Sequence, residues 1–178
     1  MHMLSWLSTA GTAAIVEFPG VLYRGGAEEK IRKYLIDNNF VDTVIQLPDN
    51  LFFGVTIATC IIVLKKSKTD NHTLFIDASK EFEHVGNKNK LMAENIEHIL
   101  QAFIDRLDKP HFCALVKNTD IAANSYNISV SSYVEQEDTR ETVNITELNQ
   151  RIAEIVARQS ELRTAIDEII ADLEAAAI

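Results

Sequence analysis

Phe52 and Phe53 stand in the stretch Leu51-Phe52-Phe53-Gly54, directly after the turn-forming Pro48-Asp49-Asn50. An aromatic at the carboxyl end of a strand in an open α/β sheet could stack on a base. On spacing alone a simpler arrangement is favoured, in which one ring enters the core and the other caps it. Gly25-Gly26 ahead of a helix, with Arg24 beside them, could cradle a phosphate. Neither G-x-G-x-x-G nor G-x-x-x-x-G-K-[ST] is present, so a plain turn is the stronger reading. Asp77 ends an apolar run and is more readily the start of a turn than a carboxylate in a site. No paired carboxylates and no nucleophile–base pair emerge. His2, His72, His84, His98 and His111 never fall at i, i+4 with an acidic partner, and no C-x-x-C exists. Cys60 and Cys113 lie in ATCIIVL and HFCALV, as buried thiols do. A zinc ribbon and a redox dithiol are excluded, and no metal site is expected.

The elements that must hold these residues can be read from periodicity. His2 to Leu7 reads as the last turns of an apolar helix, either because the chain is a piece of something longer or because it opens on a native N-terminal helical turn; composition alone does not choose. Thr12 to Phe18 reads as a buried strand stopped by Pro19-Gly20. Ala27 to Asn38 is an amphipathic helix with Ile31, Tyr34 and Leu35 facing inward and Glu28 and Glu29 in its first turn. Val41 to Leu47, Ile57 to Lys65 and Thr73 to Asp77 read as strands. Strand–helix–strand over residues 12–47 fits a right-handed parallel crossover. The link from Leu47 to Ile57 is too short for a crossover helix, so the second and third strands should be antiparallel neighbours. This is half of a doubly wound α/β sheet. Lys90 to Leu107 is a second amphipathic helix ended by Pro110, and residues 111–134 read as irregular. Asn127-Ile-Ser129 matches a glycosylation sequon, read as chance because no secretion signal is seen.

The C-terminal segment is distinct. Residues 135–178 hold 11 acidic and 4 basic side chains, a net −7 of the chain's −9. After a polar linker over residues 135–143, Ile145, Leu148, Ile152, Ile155, Gln159, Leu162, Ile166, Ile169, Leu173 and Ala176 recur at alternating spacings of three and four. That is a heptad seam on a helix about 48 Å long. One such stripe cannot bury itself, so a partner helix is required, by self-association, from another protein or from residues 90–107. Asn144 and Glu147 form its N-terminal cap, and Gln159 is a polar residue of the kind that fixes register.

Composition bounds the answer. With 178 residues, 47% hydrophobic and 24% charged, the chain is an ordinary globular one, with room for one domain and an appendage. The longest apolar run, Ile57 to Leu64, falls far short of the ~20 residues that span a bilayer. No basic region precedes an apolar one at the start, so a cytoplasmic protein without membrane contact is expected. DNA binding by charge alone would need a basic excess that is absent, so any such contact is local or shared with a partner.

FPGVLYRGGAEEKIRKYLIDNNFVDTVIQLPDNLFFGVTIATCIIVLKK, TLFIDASKEFEHVGNKNKL and IAANSYNISVSSYV together resemble the C-terminal part of the modification subunit of type I restriction–modification systems. The resemblance runs over nearly the whole chain. It implies a Rossmann-like methyltransferase that moves a methyl group from S-adenosylmethionine to the exocyclic amine of adenine in DNA. It also implies a specificity subunit that reads the sequence and a restriction subunit that cleaves. The family's N-P-P-F signature and glycine-rich cofactor loop are absent here. The expected parts are therefore a partial α/β core over 1–80, a helical and irregular extension over 81–134, and linker plus long helix over 135–178. No catalytic residue and no cofactor is assigned to this fragment, which alone should neither bind S-adenosylmethionine tightly nor methylate DNA. By resemblance, Tyr23, Arg24, Asn50, Phe52 and Phe53 are candidates to contact DNA or the target base. Ile145 to Leu173 of the heptad seam would meet helices of the specificity subunit. The alternative is a stand-alone helical interaction module, a coiled-coil dimer included, without enzymatic activity.

Overall fold

The computed structural model describes residues 1–137 and 144–176. Of the expected polar linker, residues 138–143 lie outside the described residues. The chain forms two compact units, Met1–Glu137 and Asp138–Ile178. The first is a mixed α/β unit and the second is a single described helix.

In the first unit the elements are α1 (His2–Trp6), β1 (Thr12–Glu17), α2 (Ala27–Asp37), β2 (Val41–Gln46), β3 (Cys60–Lys65), β4 (His72–Asp77), β5 (Glu83–Val85), β6 (Lys88–Lys90), α3 (Ala93–Asp105), β7 (Cys113–Lys117) and α4 (Asn118–Ala123). Five strands make one sheet in the order β1-β3-β2-β4-β7. β3 runs antiparallel to both its neighbours, β2 and β4 are parallel, and β7 is antiparallel on the far edge. The short 47–57 link does make β2 and β3 antiparallel neighbours. However, β3 also inserts between β1 and β2, so those two strands run the same way without touching. The directly paired parallel strands are β2 and β4.

Apolar side chains alternate between the two faces of β2 and β4. Val44 and Phe75 join Leu22, Leu35, Ile36, Ile121 and Ile128 under α2 and α4. Ile45, Leu74 and Ile76 join Phe112, Ile99 and Phe103 under α3. Both strands are buried over five of their six residues although only three of the six are apolar in each, whereas β3 (CIIVLK) is nearly all apolar, as a strand covered on both faces is expected to be.

Four expectations are corrected. β1 is not buried: it lies at the edge of the sheet and alternates between exposed and half-buried residues. In α2 the inward residues are Arg32, Leu35 and Ile36, while Ile31 and Tyr34 stay largely exposed. Arg32 can be buried because its Nε donates to the Tyr126 carbonyl at 2.8 Å and its Nη1 to the Val21 carbonyl at 2.9 Å. Residues 113–117 form the edge strand β7 rather than irregular chain. The Asn/Ser-rich stretch after α4 is core: Ile128, Val130 and Val134 are buried, and Tyr133 stacks on Phe75 at 4.3 Å between ring centroids. There Asn127 closes a local turn, its Oδ1 accepting from the Ser129 N–H at 2.9 Å.

The second unit is α5 (Ile145–Ala176), a single helix of 32 residues. Its N-terminus is capped as its sequence requires, Asn144 Oδ1 accepting from the Thr146 N–H at 3.1 Å.

Candidate functional site

Register places the candidate loops. Glu17 pairs with Cys60, Cys60 with Gln46, and Gln46 with Asp77, a row across four strands. This row marks the carboxyl ends of β1, β2 and β4. The loops leaving β1 and β2 therefore start on one edge of the sheet, roughly 10 Å apart across the intervening strand. Ligands of open α/β sheets gather at such an edge.

The first loop, Phe18 to Gly26, carries Tyr23 and Arg24. A 3-10 turn over Pro19–Leu22 buries Leu22, and the Leu22 carbonyl accepts from the Ile128 N–H at 2.9 Å. Tyr23 and Phe18 are left more than half exposed. Arg24 lies back over Gly20: a Cβ on Gly20 would sit 2.9 Å from the guanidinium carbon. Gly25-Gly26 form a turn into α2, whose first turn bears Glu28 and Glu29. Two carboxylates there repel a phosphate, so the plain-turn reading holds.

The second loop carries Asn50, Phe52 and Phe53. Asn50 is in the left-handed region at φ 49°, and Gly54 at φ 73° turns the chain back toward β3. Leu47 and Leu51 pack into the core. Phe52 is 39% exposed and Phe53 is 98% exposed. The expectation that one ring fills the core and the other caps it fails for Phe53, which covers nothing.

A residue group that the sequence reading passed over holds this loop. β5 and β6 form a two-stranded hairpin closed by Gly86-Asn87, with Gly86 at φ 65°. A two-residue Gly-Asn loop is a hairpin signal, overlooked because the strands are short and polar. Asn89 of β6 is buried. Its Nδ2 donates to the Asp49 carbonyl and to Asp49 Oδ1, both at 2.9 Å, and its N–H donates to the Asn50 carbonyl at 3.2 Å. Lys88 Nζ donates to the Phe52 carbonyl at 2.9 Å and lies 5.4 Å from the centroid of the Phe53 ring. That is within cation–π range.

Asp77 is buried and begins a turn, its Oδ1 accepting from the Ser79 N–H at 3.0 Å. Cys60, in the same row, donates to the Glu17 carbonyl at 3.4 Å, and burial pushes its thiol up to about 11. It is an inert core thiol, and burial also raises the Cys113 thiol. Among the described residues no His, Cys, Asp and Glu side chains group to hold a metal ion. What the edge offers is an exposed aromatic ring beside an ammonium group.

The heptad stripe of α5 is exposed along its length. Ile145, Leu148, Ile152, Ile155, Leu162, Ile166, Ile169 and Leu173 each keep between 47% and 71% of their surface in water. No helix among the described residues is long and apolar enough to cross a membrane.

Comparisons with known proteins place these features in a family. The N-6 DNA methylase family profile matches residues 1–142. The chain is 46% identical to the type I restriction enzyme MpnII methylase subunit of Mycoplasma pneumoniae, over 98% of this chain and 32% of that protein. It is 34% identical to the MjaVII methylase subunit of Methanocaldococcus jannaschii, over 90% of this chain and 28% of that protein. Among solved structures, the methyltransferase subunit of a type I system from Streptococcus thermophilus matches with 43% identity and a TM-score of 0.74, over 75% of this chain and 29% of that one. The EcoKI modification protein, at 16% identity and a TM-score of 0.62, shares the fold. The chain thus spans 32% or less of the length of these two curated relatives.

Proposed function

The chain belongs to the N-6 DNA methylase family, and from that premise we propose that it serves within a type I modification subunit, facing the target base with one loop and docking partner subunits with α5. The acceptor in this reading is the exocyclic amine of adenine, and the methyl donor of the full-length subunit is S-adenosylmethionine. The observation that carries the reading is Phe53, a ring almost wholly in water on a loop whose backbone is tied down at Asp49, Asn50 and Phe52. Burying a phenylalanine is worth about 1.5–3 kcal/mol, so a fixed loop that holds one in solvent forgoes that gain. A base turned out of its stack offers a π face to such a ring, worth about 1–3 kcal/mol.

The described residues include no G-x-G-x-x-G loop of the kind that cradles a nucleotide cofactor, and Gly25-Gly26 lead into an acidic helix start. A cleft of about 460 Å³ between α1, β1 and α2 is lined by apolar Met3, Ile15 and Leu35 together with Glu17, Glu28 and Arg32. The cofactor is assigned to the remainder of the full-length subunit. The exposed aliphatic seam of α5 is assigned to the specificity subunit, with the restriction subunit and DNA joining the same complex in the cytoplasm.

Phe53→Ala and Phe52→Ala in the assembled enzyme test the base contact. Loss of one stack should slow methylation of plasmid DNA by about 5- to 150-fold. Phe53→Ala should leave the thermal midpoint unchanged, because the ring packs against almost nothing. Wild-type methylation by both folded variants would overturn the assignment.

A further inference from the structure

We propose that the β5–β6 hairpin is the brace that aims the aromatic loop, with Asn89 and Lys88 as positioning residues for methyl transfer. The inference rests on the reading of Phe52 and Phe53 as base contacts.

An exposed ring cannot be held by packing, so its direction is set by its backbone. Four hydrogen bonds from the hairpin reach that backbone and the adjoining side chain. Asn89 gives two to Asp49 through its amide and one to Asn50 through its N–H. Lys88 gives the fourth to the carbonyl of Phe52. Asn89 is buried, and a buried amide with both its donor hydrogens engaged on one residue is a rigid tie. Asn50 sits in the left-handed region that asparagine adopts readily, and its carbonyl is held there by the Asn89 N–H. Without the brace the loop keeps its base, where the Leu47 N–H donates to the Thr59 carbonyl at 2.9 Å and Leu47 and Leu51 pack into the core, but its tip keeps only the Val55 N–H on the Phe52 carbonyl at 3.2 Å.

Lys88 also reaches the ring itself, its ammonium lying 5.4 Å from the Phe53 centroid, whereas Lys90 is paired across the hairpin with Glu83.

The test is a double-mutant cycle in the assembled modification enzyme. Its methylated sequence is first mapped by sequencing plasmid DNA, and the probe is a duplex with 2-aminopurine at the target position. The variants are Lys88→Met, Asn89→Ala, the loop double Phe52→Ala with Phe53→Ala, and each brace variant combined with that loop double. Each brace variant should lower kcat roughly 10- to 100-fold, the usual loss from a slight misplacement, with KM for DNA changed less. Each should also raise 2-aminopurine fluorescence in the complex, as the loop double does by removing the stack. In the loop-double background a brace variant should cost less than twofold more, because it acts through rings already gone. Multiplicative losses would show that the hairpin acts independently and would overturn the brace. If the loop double itself methylates normally, the reading of the rings fails instead. Should Asn89→Ala not fold, the cycle through the more exposed Lys88 decides.

Discussion

Ile155→Asp with Leu162→Asp places two carboxylates in the middle of the α5 seam. Eight large aliphatic residues line that seam, and each has about half or more of its surface still to bury. Complete burial of a leucine or isoleucine is worth about 1.5–3 kcal/mol, so about 1 kcal/mol per residue remains to be gained on docking. Ordering the side chains offsets part of it, about 0.5–1 kcal/mol each. The margin for docking is therefore a few kcal/mol spread over eight positions, and it is sensitive to single changes. The double variant removes two contributions and adds two carboxylates that must lose water at the interface. Together these should weaken docking by at least about 3 kcal/mol, more than 100-fold in affinity. The assay is co-purification and sedimentation of the modification subunit with the specificity subunit. Wild type should form a stable complex and the variant should not. Thermal unfolding of the β-sheet unit should be unchanged, because the substituted residues lie in the separate helical unit. The net −7 of residues 135–178 also disfavours parallel pairing of two copies, so any self-association should be weaker at low salt than at high salt. Normal assembly by the double variant would refute the reasoning.

Three further outcomes follow from the other end of the sheet and from the core. Burial lowers the Lys68 ammonium to about 8 from its ordinary 10.5, so its penalty is complete below about pH 8 and gone above 10.5. Stability relative to Lys68→Met should therefore rise between pH 8 and 10, as chemical denaturation at stepped pH would show; a flat difference would contradict it. A register shift between Val41 and Thr43 marks the position of Asp42, which is buried, and Arg106 Nη1 lies 3.2 Å from both its carboxylate oxygens. Asp42→Asn should cost about 1–3 kcal/mol by urea titration, since it leaves the partly buried Arg106 guanidinium with only the more distant Asp70, 3.8 Å away, as counter-charge, and a loss below about 0.5 kcal/mol would exclude the pair as a stabilising one. The Cys60 thiol, buried and raised to about 11, should resist thiol reagents at pH 8 until the protein unfolds, and prompt labelling of the native chain would be the contrary result.

The strands that carry the candidate loops were readable because short stretches rich in β-branched and apolar residues, TAAIVE and VDTVIQ, run up to Pro19-Gly20 and Pro48-Asp49-Asn50. Leu47 to Ile57 was readable as a reversal because chain length alone forbids a crossover. That β3 lies between β1 and β2 was not, since the Thr12–Lys65 and Val41–Leu64 pairings are distant choices made by packing. The stretch around Ile128 and Val134 looked irregular because Asn and Ser dominate it, yet its apolar residues close the core over Phe75. The hairpin of Lys88 and Asn89 was hidden for the opposite reason: its strands are three residues each and polar, held by bonds to a loop some 40 residues away. Phe52 and Phe53 were visible as aromatics after a turn, but the exposure that separates them depends on how that loop is braced. The three-and-four spacing of aliphatic residues over Ile145–Ala176 was legible in the sequence, and in the described helix those residues stay exposed.

The most direct measurement of the central claim is a photochemical cross-link from the target position. A duplex with 5-iodouracil replacing the target adenine is bound by the assembled enzyme, irradiated, digested with trypsin and read by mass spectrometry. The adduct should fall in the peptide spanning residues 34–65, on Phe53 or on Phe52 beside it. An adduct confined to other peptides, in an enzyme that methylates its site normally, would contradict the assignment of this loop to the target base.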